Sequence, residues 1–398
     1  MPPPLNALSL PALMERAAGV AGLTEWGDRG FTEAAELLVE SCVATADLNA
    51  VGERVLRSVV VRHLANRLMV NAHVRAHPDV AARSLGSPLV ITGLPRTGTT
   101  LLHNLLALDA NNRVLRFWQA LRPVPPDPAS GESEADLVAQ AAMWLERLYE
   151  IVPTFRAIHG ATAEGPEECD ALLQNEFASQ HFDDMFNAVT YSAWLATADL
   201  RRQYASYTLQ LRVLTEPSTK PVGHDTNAGA GGGRWVLKSP SHLGHLDALL
   251  AACPEATIVH CHRHPNEAVP SYASLVFSLR RAYSDRASPA VIGAQALERC
   301  QTALNRALQV RAGHEARFAD VAYSRLMGEP IAAVHDLYAR QGWTFPDGFE
   351  ADMARWLSDH PQHEHGPHRY RGEGFGLTTV AIAAAMAAYL DQFEAAIS

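Results

Sequence analysis

The 398-residue sequence contains little cysteine, less positive than negative charge and no long apolar run. Its five cysteines are odd in number and widely spaced, without a CxxC pair. This pattern excludes a disulfide framework and a zinc site of paired cysteines, and it favours a reducing cytoplasm. Lys and Arg number 33 against 43 Asp and Glu, a net charge of −10, which disfavours nucleic acid as a partner. An anionic ligand must therefore be bound by a local site.

Neither end of the chain has the pattern of a membrane segment. The N-terminal stretch MPPPLNALSLPALMER contains prolines, Glu15 and Arg16 where a signal peptide would need unbroken apolar residues. The most apolar later run, TTVAIAAAMAAYL, is short and rich in alanine. We therefore expect no membrane span and a cytoplasmic protein. The overall hydrophobic content of 47% is sufficient for a large buried core.

The hydrophobic pattern divides the chain into regions. Apolar residues recur at helical spacing through residues 1–85, which predicts a helical N-terminal region. SPLVITGL, PRTGTT and TLLHNLLALD then indicate a strand, a loop and a helix, and RWVLKS, HLGHLDALLAAC and ATIVHCHR indicate a second strand, helix and strand. Between these units, about residues 120–230 have a mostly helical pattern. The tail GLTTVAIAAAMAAYLDQF predicts one amphipathic helix, and the whole pattern predicts parallel β-structure covered by helices.

A glycine-containing loop joins the first strand to the next helix. In this context backbone N–H groups and the start of a helix converge on a phosphate, so we predict a nucleotide-phosphate site. The alternative is an ordinary glycine turn capped by threonine. The candidate residues are Gly93, Leu94, Pro95, Arg96, Thr97, Gly98, Thr99 and Thr100.

This loop departs from the Walker pattern of proteins that bind nucleoside triphosphates. Thr99 replaces the lysine that would reach the β- and γ-phosphates. The following strand, ATIVHCHRHP, ends in His and Arg and offers no carboxylate for Mg²⁺. The sequence therefore predicts a nucleotide with fewer phosphates, whose charge Arg96 neutralises without a metal ion.

A second anion site is predicted after the third candidate strand. Arg263 ends ATIVHCHR, and Ser271 follows eight residues later in a stretch where Pro265 can start a helix. The two side chains can share one anion at a strand-to-helix junction. Taken alone, the pair also fits a surface arginine and a helical serine.

These motifs together resemble the sulfotransferases that use 3′-phosphoadenosine 5′-phosphosulfate (PAPS), in particular the bacterial branch of that superfamily. GLPRTGTTLL is similar to the family's loop for the 5′-phosphosulfate, and Arg263 with Ser271 is similar to its R-x7-S element for the 3′-phosphate. WVLKSPSHL, GPEEC, DVAYSRLMGEP and HGPHRYRGEGFGL are also typical of the branch. The resemblance covers most of residues 86–380. It implies an α/β, P-loop NTPase-like three-layer fold with a central parallel sheet, in which residues 86–398 form the sulfotransferase domain with a helical insertion.

The resemblance also implies roles for individual residues. Arg96 occupies the place of a loop lysine in cytosolic relatives, and Lys238 matches a second catalytic lysine there. Tyr323 resembles a tyrosine that contacts the nucleotide, although a core tyrosine fits the pattern nearly as well. PAPS is then the co-substrate, adenosine 3′,5′-bisphosphate (PAP) is the product, and no metal is expected. The histidines at 360, 363, 365 and 368 lack the spacing of a helical metal site.

The acceptor hydroxyl needs a general base, for which the sequence offers several candidates. They are His159, Glu167, Glu168 and His242. Glu167 and Glu168 also suit the first turn of a helix after Pro166, and His242 can cap a helix or touch a phosphate. Relatives usually have Glu in the position of Gln119, so a carboxylate base is not expected there.

The sequence therefore predicts a PAPS-dependent sulfotransferase whose acceptor is a hydroxyl of a small molecule or a glycan. One alternative is a P-loop kinase of small molecules or nucleotides, which would need Mg²⁺ and a substitute for the missing lysine. A second alternative is a nucleotide-binding module without catalysis, which Gln119 favours. The presence of both Arg96 and Lys238 argues against that module.

Overall fold

The structure is a computed structural model that describes residues 8–127, 130–153, 156, 160–215, 233–361 and 372–397. Its centre is a sheet of five parallel strands in the order β2-β3-β1-β4-β5. The strands are β1 (Leu89–Gly93), β2 (Asn112–Arg113), β3 (Arg234–Lys238), β4 (Thr257–His262) and β5 (Phe318–Ala322). The predicted α/β fold with a central parallel sheet is confirmed.

The central strand β1 has the apolar sequence that predicts a buried parallel strand. All five of its residues are buried, as expected for a parallel strand covered by helices on both faces. Leu89 pairs with Val236 of β3 on one side and with Thr257 of β4 on the other. β3 and β4 are thus parallel strands joined by a helical crossover, and β1 lies between them.

Helices make up most of the remaining chain. Three precede the sheet, as the periodicity predicts: α1 (Leu10–Ala21), α2 (Thr32–Thr45) and α3 (Ala50–Ala76). Asn49 caps α3, since its side-chain oxygen accepts hydrogen bonds from the backbone N–H groups of Val51 and Gly52. These helices share one hydrophobic core with helices from the second half of the chain, so they form part of the same packed body.

The described part of the region between β1 and β3 is also mostly helical. Its helices are α4 (Thr99–Leu106), α5 (Phe117–Leu121), α6 (Glu134–Ile151), α7 (Asp170–Gln174), α8 (His181–Phe186), α9 (Val189–Leu195) and α10 (Arg201–Leu214). After β3 follow a 3₁₀ segment (Pro240–His245) and α11 (Leu246–Ala252), where the sequence predicts one helix. Then come α12 (Pro265–Tyr283), α13 (Pro289–Ala312), α14 (Tyr323–Gly328), α15 (Pro330–Gln341) and α16 (Phe349–Asp359).

The tail is not the single helix that its sequence predicts. It forms α17 (Thr379–Ala385) and α18 (Ala387–Ile397), which meet at an angle of 102°. Both helices pack on α13, but only α17 also packs on α12, whereas α18 also packs on α14, β4 and β5. Among the described residues, no single helix is long and apolar enough to cross a membrane, and only this bent pair passes that test when its two halves are combined.

Candidate active site

The loop between β1 and α4 can only be built with glycine at its two ends. Gly93 has φ +155°, and a Cβ there would lie 2.4 Å from the backbone oxygen of Cys261 in β4. Gly98 has φ +84°, and its Cβ would lie 3.0 Å from Leu326 and 3.2 Å from Tyr323. The loop is therefore held tightly between β4 and α14. Its backbone then leads directly into α4, whose first N–H groups have no partner within the helix.

Two side chains of the loop have clear structural positions: Thr97 supports the turn, and Arg96 extends from it. The hydroxyl of Thr97 donates to the Leu94 carbonyl over 2.8 Å and is buried. Arg96 adopts the left-handed conformation, with φ +72°. Its Nε donates to Oγ of Ser271 on α12 over 3.3 Å. The guanidinium of the loop is thus directed toward the second predicted anion site.

The two anion sites that the sequence predicts separately are one site in space. A terminal nitrogen of Arg263 donates to the carbonyl oxygen of Arg96 over 2.9 Å. The Arg263 guanidinium also lies over the ring of Tyr323, 4.2 Å from its centroid, and pairs with Glu267. Arg96, Arg263, Ser271 and Tyr323 therefore surround one end of a cavity as a cluster with two arginines.

Lys238 ends β3 on the other side of β1. Its Nζ donates to Oε1 of Glu168 over 2.7 Å, and its carbonyl oxygen accepts from the backbone N–H of Cys169 over 3.1 Å. The side chain of Lys238 is 2% exposed and does not line the cavity, whereas Glu168 does. The ammonium group thus lies just behind the cavity wall, where it holds the Glu168 carboxylate.

The cavity has a volume of about 630 Å³ and runs from the phosphate loop to the helices around α7. At one end it is lined by the loop, Arg263 and Tyr323. At the other end the wall combines apolar side chains of α5 and α6 with carboxylates of α7 and α8. This shape can hold a nucleotide and a second molecule next to each other.

Of the four predicted base candidates, two lie in the cavity wall. Glu167 and Glu168 both line it, and Glu167 accepts a hydrogen bond from the backbone N–H of Glu168. His242 is fully buried outside the wall, with Tyr204 on Nδ1 at 2.8 Å and Cys169 on Nε2 at 3.1 Å. Burial lowers its pKa to about 3, so the geometry gives His242 a packing role instead of the predicted catalytic one. His159 lies outside the described residues.

Gln119 has a local structural function. Its side-chain oxygen accepts a hydrogen bond from the backbone N–H of Arg116 over 3.0 Å and so closes the first turn of α5. It does not line the cavity. Gln119 is therefore placed at the start of α5 and not in the cavity wall.

Sequence reasoning missed Asp170, a carboxylate that lines the cavity two residues after Glu168. Its side chain is buried, and Oδ2 accepts hydrogen bonds from the hydroxyl of Ser179 and from Nε2 of Gln174. Oδ1 is buried and has no hydrogen-bond partner among the described residues. Burial raises the pKa of Asp170 to about 6. The only sequence signal was its position directly after GPEEC.

A second group missed by the sequence lies deeper in the cavity. Asp184 accepts hydrogen bonds from the hydroxyl of Tyr272 over 2.6 Å and from Arg299 over 2.9 Å. Burial raises the pKa of Asp184 to about 7. Arg299 also pairs with Asp183, which is fully buried. Both acids are thus held by protein partners, so this group shapes the end of the cavity.

One set of described side chains has the spacing of metal ligands but lies away from the cavity. His260, His262 and Asp320 could place ligand atoms within 4.8 Å of one another. However, the Asp320 carboxylate already pairs with Arg311 at 2.6 Å and with His262 at 2.8 Å. His262 also contacts the hydroxyl of Tyr389 over 2.9 Å. This network joins α13 and α18 to the sheet. Of the four late histidines, only His360 lies in the described residues.

The chain is an α/β protein in which a parallel sheet, a glycine loop before α4 and two arginines meet at one end of a cavity. A profile of the sulfotransferase family matches residues 88–347, so the chain belongs to that family. This confirms the resemblance at the level of the family. The match includes the loop, Lys238, Arg263 and Tyr323.

Two solved structures resemble the chain over nearly its whole length. The sulfotransferase STF1 from Mycobacterium tuberculosis H37Rv is 28% identical with a TM-score of 0.81, over 96% of this chain and 98% of that one. The sulfotransferase STF9 from Mycobacterium avium is 28% identical with a TM-score of 0.83, over 99% of this chain and 98% of that one. A search of the curated proteins found no match.

Proposed function

We propose that the protein transfers a sulfuryl group from PAPS to a hydroxyl acceptor and releases PAP. The observation that carries this proposal is the junction of Arg96 with Arg263 and Ser271 at one end of the cavity. A donor with two separate phosphate positions suits this junction. Its 5′-phosphosulfate would occupy the loop and the start of α4, and its 3′-phosphate would bind Arg263 and Ser271 beside Tyr323.

The transfer requires stabilisation of charge on the leaving phosphate. As the bond from acceptor oxygen to sulfur forms, the bond from sulfur to the bridging oxygen breaks, and the electron pair stays on the phosphate of PAP. By analogy with phosphoryl transfer, the transition state is loose and in line. Arg96, which is already directed into this end of the cavity, stabilises the developing charge without a metal ion.

The proton of the acceptor hydroxyl goes to a carboxylate in the cavity wall. Glu168 suits this role because it lines the cavity and its position is fixed by Lys238. Glu167 and Asp170 line the same wall and are the alternatives.

The kinase alternative finds no support in the described strand ends. β3 ends at Lys238, followed by Ser239, and β4 ends at His262, followed by Arg263. Neither neighbour of β1 therefore places a carboxylate beside the phosphate loop to hold Mg²⁺. Thr99 also occupies the position of the Walker lysine. A donor handled by arginine alone is more consistent with this site.

The assignment of the 3′-phosphate is tested by Arg263→Ala. We expect this variant to bind PAP about 10- to 100-fold more weakly, since a charge-assisted contact contributes about 1.5 to 3 kcal/mol. Adenosine 5′-phosphosulfate lacks the 3′-phosphate, so its affinity should stay nearly unchanged. Ser271→Ala should act in the same direction with a smaller effect. Calorimetric titration of both nucleotides measures this difference.

Arg281→Ala is the matched control, because Arg281 is an exposed arginine near the end of α12, the helix that follows Arg263. It should change neither affinity. Equal weakening of both nucleotides in Arg263→Ala would contradict the assignment and indicate a structural role for Arg263.

A further inference from the structure

Arg62 of α3 is an unusual cation in the cavity wall. Its guanidinium lies 5.1 Å from the ring centroid of Trp144 on α6, and one terminal nitrogen donates to Nε2 of His63 over 3.2 Å. Its Nε is buried, with no hydrogen-bond partner in the part of the chain that the structure describes. No carboxylate of the described residues lies within ion-pair distance of Arg62. Partial burial also lowers its pKa to about 10, in keeping with a cation that no carboxylate stabilises.

Three other arginines of the cavity wall have carboxylate partners, in contrast to Arg62. Arg263 pairs with Glu267, Arg299 with Asp183 and Asp184, and Arg306 with Asp247. A guanidinium that is desolvated and unpaired is costly, unless a ligand supplies the missing charge. Arg96, the remaining arginine of this wall, is assigned to the donor by the proposed function, so Arg62 is the cation that we assign to a second anion from outside the protein.

His63 holds Arg62 in place. Its Nδ1 contacts Oδ1 of Asn175 over 2.8 Å, and the amide oxygen can only accept, so Nδ1 carries the proton. Nε2 is then free to accept from Arg62. Burial keeps the pKa of His63 well below its ordinary value, which agrees with a neutral ring. The guanidinium is thus fixed before any ligand arrives.

The surroundings of Arg62 distinguish its anion from the phosphates of the donor. The donor phosphates have their own residues in the loop and at Arg263. Arg62 instead lies beside an apolar wall from α5 and α6, in which the rings of Phe117 and Trp144 are 5.7 Å apart. Leu121 and Leu148 extend that wall.

We infer that the acceptor is an amphipathic anion, with an apolar body packed on Phe117 and Trp144 and a carboxylate or phosphate group bound by Arg62. This inference rests on the proposed function, because only that function makes the molecule bound by Arg62 the acceptor. It narrows the predicted small-molecule or glycan hydroxyl to a hydroxyl compound that has both features.

Paired probes test the inference. We would use carboxylic acids that carry a 4-hydroxyphenyl group at the far end of a chain of two to six methylene groups, and compare each acid with its primary amide. The corresponding alkyl phosphate monoesters would be compared with their neutral dimethyl esters. For at least one chain length, kcat/KM should favour the anion at least tenfold, mainly through KM. Arg62→Ala should remove this preference, and Arg62→Lys should retain part of it. The two series show which anion the site prefers.

Arg54→Ala is the matched control, since Arg54 is an exposed arginine of the same helix. It should leave the preference intact. The inference is overturned if wild type prefers no anion of either series, or if Arg62→Ala weakens acid and amide equally. Calorimetric binding of the same pairs to the enzyme alone separates this result from failure of the proposed function. Selective binding that Arg62→Ala removes, without sulfuryl transfer to any probe, would refute the function and leave the anion site standing.

Discussion

Replacement of Arg96 by alanine should lower kcat by about 100- to 1,000-fold, because removal of one group that stabilises developing charge typically costs about 3 to 4 kcal/mol in the transition state. The affinity for PAP should fall much less, since the loop backbone, α4 and Arg263 still bind the phosphates. The contrast follows from the direction of the guanidinium, which points into the donor end of the cavity toward Ser271. Steady-state kinetics at saturating PAPS, together with titration of PAP, measures both quantities.

Arg96→Lys is the control for charge and should retain more activity than Arg96→Ala. Thermal unfolding of both variants should match wild type, because alanine, lysine and arginine meet the same constraint at φ +72°. A kcat of Arg96→Ala within about threefold of wild type, equal to less than ~0.7 kcal/mol, would remove Arg96 from the mechanism.

Gly93→Ala should lower the free energy of unfolding by about 3 kcal/mol or more, and it should abolish nucleotide binding. A Cβ at this position would lie 2.4 Å from the Cys261 backbone oxygen and 2.9 Å from the hydroxyl oxygen of Thr97. The backbone oxygen belongs to β4 in the middle of the sheet and cannot move alone. Overpacking and an unfavourable φ each contribute about 1 to 3 kcal/mol. Urea denaturation gives the loss of stability.

Gly86→Ala separates these two effects. Gly86 also has a positive φ, +65°, but a Cβ at this position would have no described atom within 4 Å. This control should therefore lose only about 1 kcal/mol, the cost of the left-handed conformation. If Gly93→Ala is no more destabilising than Gly86→Ala, the loop is not held against β4 as described.

The sequence predicts those strands that can be identified from a short stretch of neighbouring residues. β1, β3 and β4 are short apolar runs, and each is followed by a turn or a proline. β5 was missed because it is a short edge strand that contains the polar Asp320. β2 has only two residues. The order of the strands was also beyond a local pattern, because β1 separates β3 from β4 through pairing between distant residues.

The site shows the same division. The glycine loop and the Arg263–Ser271 spacing are local motifs, so both could be identified in the sequence as candidate phosphate positions, and these positions remain predictions. Their contact through Arg96 depends on the fold. The burial of His242 behind the wall also depends on the fold and has no sequence signal. Arg62 and Asp170 were missed because their positions in the cavity wall depend on the packing of distant helices.

The most direct test of the central claim is a calorimetric titration of the protein with PAP in the presence of EDTA, compared with ATP and Mg²⁺. The account predicts that PAP binds without any metal ion and at least 100-fold more tightly than ATP with Mg²⁺. The proposed site has two positions for phosphate, and the described ends of β3 and β4 place no carboxylate beside the loop to hold Mg²⁺. Tight binding of ATP with Mg²⁺, together with no detectable binding of PAP, would contradict the account and favour the kinase.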